Sequence, residues 1–342
     1  MMGRDPNMAA EHFKAWLLER HGKGTRLRQT RLCETELDDG DVLLQVAYAS
    51  ITRRDALACC AQEVASRRLP CVPGGDLVAQ VLASAAPRFQ PGDWVFASGY
   101  GIGSKHHGAY AERALLPGGW LLPVPEKLDA LSAISLGGSG LAVAMALTQL
   151  EDNGLKPERG PVLVTGAGGS NGSLAVTLLA ARGYEVCALT RQAENSQWLK
   201  DLGASRVLLY GDLHLDAIQP LARGVWAGAV DNLGGNVLGW ILGSSKPGAA
   251  VVALGDVLGS AVNLSLAPMV ARGVSVLGVD SAQAGFATKH KAWIRLAGDL
   301  HSDKLRLLYR MVGFEEIPLM CTQLLNGVSR GRTVVRIADS GG

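Results

Sequence analysis

The chain contains 342 residues, 48% of them hydrophobic, and carries a formal net charge of +2 from 33 basic and 31 acidic side chains. This length is sufficient for two domains with buried cores. The balanced charge excludes a global electrostatic attraction to nucleic acid or to a membrane surface. Because the N-terminus lacks the apolar core of a signal peptide, we expect a cytoplasmic protein with residues 1–12 as a disordered extension.

The first part of the chain is predicted to be mainly β. Short apolar and β-branched runs, bounded by turn residues, predict strands at 41–49, 76–83, 94–97 and 108–115. Several short strands joined by turns indicate a small barrel-like domain. Residues 131–150 then form a long apolar pattern that predicts a buried helix, and no apolar run reaches the length of a membrane span.

A glycine-rich stretch in the middle of the chain predicts a βαβ unit. Residues 162–165 form a β-branched apolar run, glycines cluster between 166 and 172, a helical apolar pattern follows, and residues 185–190 form a second buried strand. Such a unit begins a dinucleotide-binding fold. Glycines there let the backbone approach a diphosphate that rests on the N-terminus of the helix.

The end of the second strand of this unit indicates which dinucleotide binds. An NAD-binding protein usually carries Asp or Glu about 20 residues past the glycines, where it holds the ribose hydroxyls. This chain has Thr190, Arg191 and Gln192 instead. No carboxylate repels a 2′-phosphate and a guanidinium can pair with it, so NADP(H) is the predicted cofactor, unless Arg191 is simply a solvated surface residue.

The rest of the chain continues the alternation of strands and helices. Strands are predicted at 206–210, 228–233, 249–255 and 275–280, with helical segments at 194–202, 214–222, 235–243 and 266–272. With the first two strands they make a six-stranded, doubly wound sheet, so the fold class is α/β. Residues 286–342 are predicted to form two helices and a final strand at 333–337. A cleft between the two domains is the expected active site.

The six cysteines give no indication of a metal site. None are spaced as CxxC, and no cluster of other ligand types stands with them. We therefore expect reduced, mostly buried thiols.

Several segments carry a family resemblance. They are RFQPGD at 88–93, GGWLLPVP at 118–125, VLVTGAGG at 162–169, LGASRVL at 202–208, VWAGAVD at 225–231, GVDS at 278–281 and GRTVV at 331–335. Together with the order of elements, they resemble the zinc-free, NADPH-dependent acrylyl-CoA reductase branch of the medium-chain dehydrogenases/reductases, a quinone oxidoreductase-like group. The resemblance implies a GroES-like β-barrel domain at 13–128 and 285–342, a Rossmann NADP-binding domain at 129–284, and a homodimer.

The chain also departs from the pattern of this branch. The positions that hold zinc in related enzymes are Thr52 and Gly74-Gly75-Asp76 here. Arg53 stands where the branch usually has a tyrosine, and Tyr100-Gly101 replaces a usual Trp-Gly. A fixed positive charge at Arg53 would oppose the charge that nicotinamide gains on oxidation. We therefore expect poor turnover of small acyl-CoA substrates and a preference for a larger or acidic one.

Candidate site residues follow from the pattern and the resemblance. Three side chains are predicted to act in catalysis: Arg53, Tyr100 and His107. For each, a purely structural or solvated role is the alternative. The residues predicted to contact the cofactor lie in the glycine turn and in or after the later strands: Gly168, Gly169, Ser170, Asn171, Gly172, Thr190, Arg191, Gln192, Arg206, Asn232, Gly255 and Ser281.

Three functions remain open from the sequence. The first is NADPH-dependent reduction of an activated double bond, such as that of an enoyl thioester on a small-molecule or carrier-bound acyl substrate. The second is reduction of quinones or enones. The third is a non-redox biosynthetic reaction, a cyclisation or elimination, that reuses the fold.

Overall fold

The computed structural model describes residues 11–22, 24–60, 68–299 and 302–338. Residues 1–10 of the predicted N-terminal extension lie outside these ranges. The chain divides into two compact units. Among the described residues, the first comprises those within Met1–Gly138, Ala282–His290 and Tyr309–Gly342, and the second comprises those within Ser139–Ser281 and Lys291–Leu308.

The strands are, in chain order, β1 Phe13–His21, β2 Gly24–Leu32, β3 Val42–Ile51, β4 Asp76–Ser84, β5 Trp94–Ser98, β6 Arg113–Leu116, β7 Leu121–Pro123, β8 Val162–Val164, β9 Val186–Thr190, β10 Arg206–Leu209, β11 Trp226–Asp231, β12 Ser245–Ala253, β13 Ser275–Gly278, β14 Tyr309–Gly313 and β15 Arg332–Arg336. The α-helices are α1 Arg53–Cys59, α2 Ala130–Asp152, α3 Ser170–Ala181, α4 Ser196–Leu202, α5 Gly235–Gly243, α6 Ala267–Arg272, α7 Phe286–Asp299, α8 Ser302–Leu308 and α9 Ile317–Leu325.

The first unit is built on antiparallel pairing. Strands β1 and β2 form a hairpin, and a seven-stranded sheet has the order β14-β15-β3-β4-β5-β7, with β6 also paired to β3. Only β14 and β15 run parallel in that sheet. Buried and partly buried side chains alternate along β3 from Val42 to Val46, and the rest of the strand is almost entirely buried. Helices α1 and α9 pack together and contribute Ala56 and Ile317 to the core of this unit.

The second unit is a six-stranded parallel sheet of order β10-β9-β8-β11-β12-β13. Strands β8, β9 and β11 are buried along their whole length. Buried parallel strands are apolar on both faces, which is why their sequences are continuous apolar runs. The predicted doubly wound sheet is confirmed, and its strand order reverses between β8 and β11.

Helix α2 is long and apolar. Its helical geometry breaks at Gly137, where φ is +52° and ψ is −155°. By length and composition alone, α2 could cross a membrane, but 72% of its most apolar window is buried in the protein. The core helix of a globular protein meets the same test, so this is weak evidence for a membrane span.

Several predicted elements are wrong or incomplete. Residues 214–222 contain only one 3₁₀ turn at Leu215–Ala217, because Pro220 has no N–H and disfavours helix in the residue before it. Strand β6 begins only at Arg113, since the N–H groups of residues 108–110 donate to carbonyls of residues 72–74 instead. The β1–β2 hairpin, β14 and α9 were not predicted. Strand β2 is rich in charged and polar residues and lacks a clear apolar alternation.

Candidate functional site

The glycine turn follows β8 and leads into α3. Gly166 adopts φ +57°, a left-handed conformation that favours glycine. A Cβ atom on Gly172 would lie 2.3 Å from the Gly166 carbonyl oxygen, so only glycine permits this close packing of helix against turn. Gly169 is the N-cap of α3. The first N–H groups of the helix, from Ser170 and Asn171 onward, therefore lie at the carboxyl edge of the sheet.

Gly168 lies beside the residues that follow β9. A Cβ atom on Gly168 would be 3.1 Å from Asn195 Nδ2 and 3.7 Å from Thr190 Oγ1. The buried Thr190 hydroxyl accepts the Gln192 N–H at 3.2 Å, and Asn195 Nδ2 donates to Gln192 Oε1 at 2.6 Å. The structure thus brings three predicted residues together. It adds Asn195, which has no distinguishing signal in the sequence.

Arg191 lies at the same edge. It is exposed, and its guanidinium carbon is 5.9 Å from the centroid of the Tyr210 ring. Tyr210 directly follows β10, the neighbour of β9. A cation–π contact therefore holds the guanidinium near the position of the adenosine ribose in this fold. Tyr210 was not predicted as a site residue. An aromatic residue directly after the strand that neighbours β9 could have indicated a contact with Arg191.

The loops after β8 and β11 meet at the point where the strand order reverses. Thr165 Oγ1 donates to Asp231 Oδ1 at 2.5 Å and accepts the Asn232 N–H at 2.9 Å. Both oxygens of the buried Asp231 also accept N–H groups of the next turn. A Cβ atom on Gly255 would be 2.7 Å from the Asn232 carbonyl oxygen. Asp231 therefore fixes this loop, and two predicted residues, Asn232 and Gly255, are neighbours.

One predicted cofactor residue, Arg206, lies apart from this group. Arg206 is the first residue of β10, in register with Cys187, and its guanidinium carbon is 5.8 Å from the Trp226 ring centroid. Trp226 begins β11, so Arg206 stabilises the amino edge of the sheet instead of joining the group at the carboxyl edge. Ser281 follows the edge strand β13 and is the last residue of its segment in the second unit.

The carboxyl-edge group fits a dinucleotide. A Cβ atom on Gly169 would meet nothing nearer than the Gly166 carbonyl oxygen at 3.5 Å, so packing inside the protein does not require glycine at this N-cap. Asn232 Oδ1 is buried and has no hydrogen-bond partner. Open space at the N-terminus of a helix suits a diphosphate, and an unpaired buried acceptor suits a hydrogen-bond donor of a ligand.

In the first unit, Arg53 begins α1 and is exposed. Thr52 caps this helix, and the Thr52 N–H and hydroxyl donate to Asp55 Oδ2 at 3.0 and 2.6 Å. Asp55 therefore fixes this loop through hydrogen bonds. The cap holds Arg53 and the equally exposed Arg54 on the first turn of the helix.

Tyr100 adopts φ +53°, the one positive φ of a non-glycine residue in the described ranges. Its ring stacks on Trp120 at a centroid distance of 5.6 Å, and its hydroxyl donates to the Ala284 carbonyl at 2.8 Å. Lys289 Nζ lies 3.4 Å from the ring centroid and donates to the carbonyls of Ser98 and Ala282. Burial raises the pKa of Tyr100, so the phenol is a hydrogen-bond donor at neutral pH. The contact of Lys289 with the Tyr100 ring was not predicted from the sequence.

His107 is buried. Its ring Nδ1 accepts the Val72 N–H at 2.9 Å, and the backbone N–H of His107 donates to Asp38 Oδ2 at 2.6 Å. Burial lowers the pKa of His107 and outweighs the opposing effect of the Asp38 carboxylate, so the ring is neutral at pH 7. These contacts fix the loop of residues 99–108, which also carries Tyr100.

A buried ion pair occupies the position of the zinc-ligand motif of related enzymes. Asp76 Oδ2 pairs with the buried Arg332 guanidinium and accepts the Ser50 hydroxyl and the Gly138 N–H, both at 3.0 Å. Burial raises the pKa of Asp76, but Arg332 and the hydrogen bonds outweigh it, so the pKa lies below its usual value. A Cβ atom on Gly137 would be 1.9 Å from the guanidinium, which explains the glycine at the break in α2.

Within the part of the chain that the structure describes, no three His, Cys, Asp or Glu side chains form a group that could hold a metal ion.

A doubly wound sheet with a glycine turn at its switch point, in a chain that also holds a mainly β unit, defines a medium-chain dehydrogenase/reductase. The profile of the alcohol dehydrogenase GroES-like domain matches residues 38–126. Acrylyl-CoA reductase AcuI of Ruegeria pomeroyi is 37% identical over 93% of this chain and 96% of that protein. Putative quinone oxidoreductase YhfP of Bacillus subtilis is 36% identical over 95% of this chain and 99% of that protein.

Solved structures agree with these relatives. Escherichia coli YhdH with bound NADPH has a TM-score of 0.92 at 35% identity, over 95% of this chain and all of that one. B. subtilis YhfP with NAD bound has the same TM-score and identity over 96% of this chain and 100% of that one. The chain belongs to the medium-chain dehydrogenase/reductase family, in the branch that includes acrylyl-CoA reductase.

Proposed function

We propose that the protein is an NADPH-dependent reductase of an activated carbon–carbon double bond in an enoyl thioester, free or carrier-bound. The observation that carries this proposal is a carboxyl-edge group that fits a dinucleotide, in a chain similar along almost its whole length to acrylyl-CoA reductase. When bound, NADPH supplies a hydride for the β-carbon of the substrate.

The residues of the chain would bind and orient the two ligands. The first N–H groups of α3 hold the diphosphate, and Arg191, supported by Tyr210, pairs with the 2′-phosphate. The exposed Arg53 faces the anionic part of the substrate or the negative charge that develops on the thioester oxygen. Tyr100 is the candidate hydrogen-bond donor to the substrate once its hydroxyl turns away from the Ala284 carbonyl, to which it donates in this structure, and His107 holds the loop that positions it.

Turnover measurements test this function. The purified chain is given NADPH with an enoyl-CoA, a free enone or a quinone, and oxidation of NADPH is followed. We expect the thioester to have the highest kcat/KM. A preference for quinone would favour the second candidate, quinone reduction, which the similarity to YhfP supports. Failure to bind NADPH would overturn the proposal.

Arg53→Tyr in the same assay should raise kcat/KM for small acyl-CoA substrates if Arg53 opposes hydride donation.

We expect NADPH to bind at least about tenfold more tightly than NADH, which corresponds to about 1.4 kcal/mol. The reason is the guanidinium at the end of β9, where no carboxylate competes. Arg191→Ala should remove this preference, while Arg223→Ala, which changes an arginine far from β9 in the sequence, should preserve it. Fluorescence titration with both cofactors measures it. Equal affinities in the unmodified protein would contradict the assignment.

We also propose a homodimer paired through β13. This strand lies at the edge of the parallel sheet, and Val276 on it is 37% exposed. Nearby α6 exposes Val270. An apolar edge strand has unpaired backbone groups that a second copy can pair across a two-fold axis. Light scattering at micromolar concentration should give the mass of a dimer, and a monomer mass would contradict the proposal.

We place the protein in the cytoplasm. Its six cysteines are free thiols, as is usual in a reducing compartment. Cell fractionation tests the location, and recovery outside the cytoplasmic fraction would contradict it.

A further inference from the structure

An unpaired hydrogen-bond acceptor is buried where the strand order of the parallel sheet reverses. Asn232 is 7% exposed. Three buried side-chain atoms in the described ranges have no hydrogen-bond partner: Thr25 Oγ1, Gln149 Oε1 and Asn232 Oδ1. Of these, only Asn232 Oδ1 belongs to a residue that follows a parallel strand at the carboxyl edge. A buried acceptor without a partner is unfavourable, so this atom indicates a ligand that supplies a donor.

The orientation of the Asn232 amide is fixed by its neighbours. Its Nδ2 donates to the Thr165 carbonyl at 2.8 Å, and a carbonyl oxygen can only accept. The amide therefore cannot be rotated to exchange its nitrogen and oxygen without losing this bond. The Asn232 N–H donates to Thr165 Oγ1, which anchors the backbone as well. The oxygen is held in place by two strands before any ligand arrives.

The surroundings place Asn232 beside the glycine turn. A Cβ atom on Gly166 would lie 3.2 Å from Asn232 Cβ, and one on Gly255 would lie 2.7 Å from the Asn232 carbonyl oxygen. The ends of β8, β11 and β12 thus converge here. In this fold the first half of the sheet holds the adenosine diphosphate, and the second half, which begins with β11, holds the other nucleoside.

The chemistry of an acceptor selects among the groups of a dinucleotide. Diphosphate oxygens are ionised at neutral pH and have no proton to donate, so they cannot satisfy Asn232 Oδ1. The donors of the nicotinamide nucleoside are the ribose hydroxyls and the carboxamide NH₂. The ribose is attached directly to the diphosphate, which the neighbouring turn holds, whereas the carboxamide lies at the far end of the nucleoside.

Resting on the proposed NADPH dependence, we propose that Asn232 Oδ1 accepts a hydrogen bond from a hydroxyl of the nicotinamide ribose. Asn232 is thereby a binding residue for the nicotinamide half of the cofactor, and it does not contribute to binding of the adenosine half.

Binding titrations with the whole cofactor and with its adenosine half test this assignment. The ligands are NADPH and adenosine 2′,5′-bisphosphate, which lacks the nicotinamide nucleoside. Asn232→Leu has similar volume and removes the acceptor. We expect this variant to bind NADPH about tenfold more weakly, equivalent to about 1.4 kcal/mol, and to bind the bisphosphate with an affinity within about twofold of that of the unmodified protein. The matched control Asn153→Leu, at an exposed site outside the sheet, should change neither affinity. If Asn232→Leu does not fold, Asn232→Ala, which also removes the acceptor, replaces it.

The outcomes separate the possible failures. If the unmodified protein binds neither ligand, the proposed function fails. If it binds both and Asn232→Leu binds both equally well, Asn232 is no cofactor contact and the inference is overturned. If Asn232→Leu weakens binding of both ligands equally, Asn232 has a structural role, and the inference is also overturned. The 3-acetylpyridine analogue of NADP has no carboxamide NH₂. Asn232→Leu should weaken binding of this analogue as much as it weakens binding of NADPH. If the affinity for the analogue does not change, the donor is the carboxamide, and the ribose assignment is contradicted.

Discussion

Gly169→Val is expected to weaken NADPH binding by at least about 100-fold, or about 2.7 kcal/mol, while the protein stays folded. The new side chain would stand at the N-cap of α3, in the space where a diphosphate reaches the N–H groups of the helix. The backbone there, at φ −86° and ψ 176°, is acceptable to any residue. The nearest atom to a Cβ would be 3.5 Å away, an ordinary contact.

Two further glycines provide the comparison. Gly172→Ala places a Cβ 2.3 Å from a backbone oxygen, so it should reduce stability and binding together. Gly119→Val, at an exposed glycine with open space around it, should change neither. Thermal unfolding and a fluorescence titration on the same samples measure both effects. Gly169→Val with unchanged affinity would mean that the diphosphate does not rest on this helix.

Arg332→Met is expected to lower the free energy of unfolding by about 3–5 kcal/mol at neutral pH. The variant leaves the Asp76 carboxylate buried without its counter-charge, although Ser50, Ser98 and Gly138 still donate to it. Urea denaturation measures the loss. Adding Asp76→Asn should restore part of the stability, because it removes the uncompensated charge. If Arg332→Met alone is as stable as the unmodified protein, the ion pair is unimportant for stability.

The effect of Arg332→Met should also depend on pH. In the unmodified protein the pKa of Asp76 is lowered in the folded state, so its contribution is present above its unfolded value, about 3.9, and lost as the pH falls through the folded value. Without Arg332, burial dominates and favours the protonated acid. The stability difference between the two proteins should therefore begin to narrow above about pH 4, where Asp76 of the folded variant takes up a proton, and should narrow further as the pH falls below that value. Arg28→Met breaks an exposed ion pair with Glu19 and should leave the unfolding midpoint unchanged.

The parallel sheet could be predicted because its signals are local. A strand buried on both faces must be apolar along its length, and β8, β9 and β11 satisfy this within a few residues of the predicted bounds. The first unit was less predictable. The exposed hairpin strand β2 carries few apolar residues, and β6 is shortened because N–H groups before it bond to a distant segment. Long-range pairing of this kind has no local signature.

The site divides in the same way. The glycine turn could be predicted because a left-handed backbone, such as that of Gly166, favours glycine. Arg191 could be predicted because it directly follows a predicted strand. Arg206 has an equally suggestive residue type, but its register places it at the amino edge of the sheet. The sequence also could not indicate that Lys289 would lie against the Tyr100 ring, since the residues are far apart in the chain.

The sequence by itself determined the fold class, the position of the glycine turn and the residue types at the carboxyl edge of the sheet, because each depends on neighbouring residues and on periodicity. The tertiary structure alone decided which groups are paired. Asp76 and Arg332 are 256 residues apart, and a buried ion pair exists only where folding removes both from water. The unpaired oxygen of Asn232 was likewise decided by the tertiary structure, since an acceptor is left without a donor only once three strands have surrounded it.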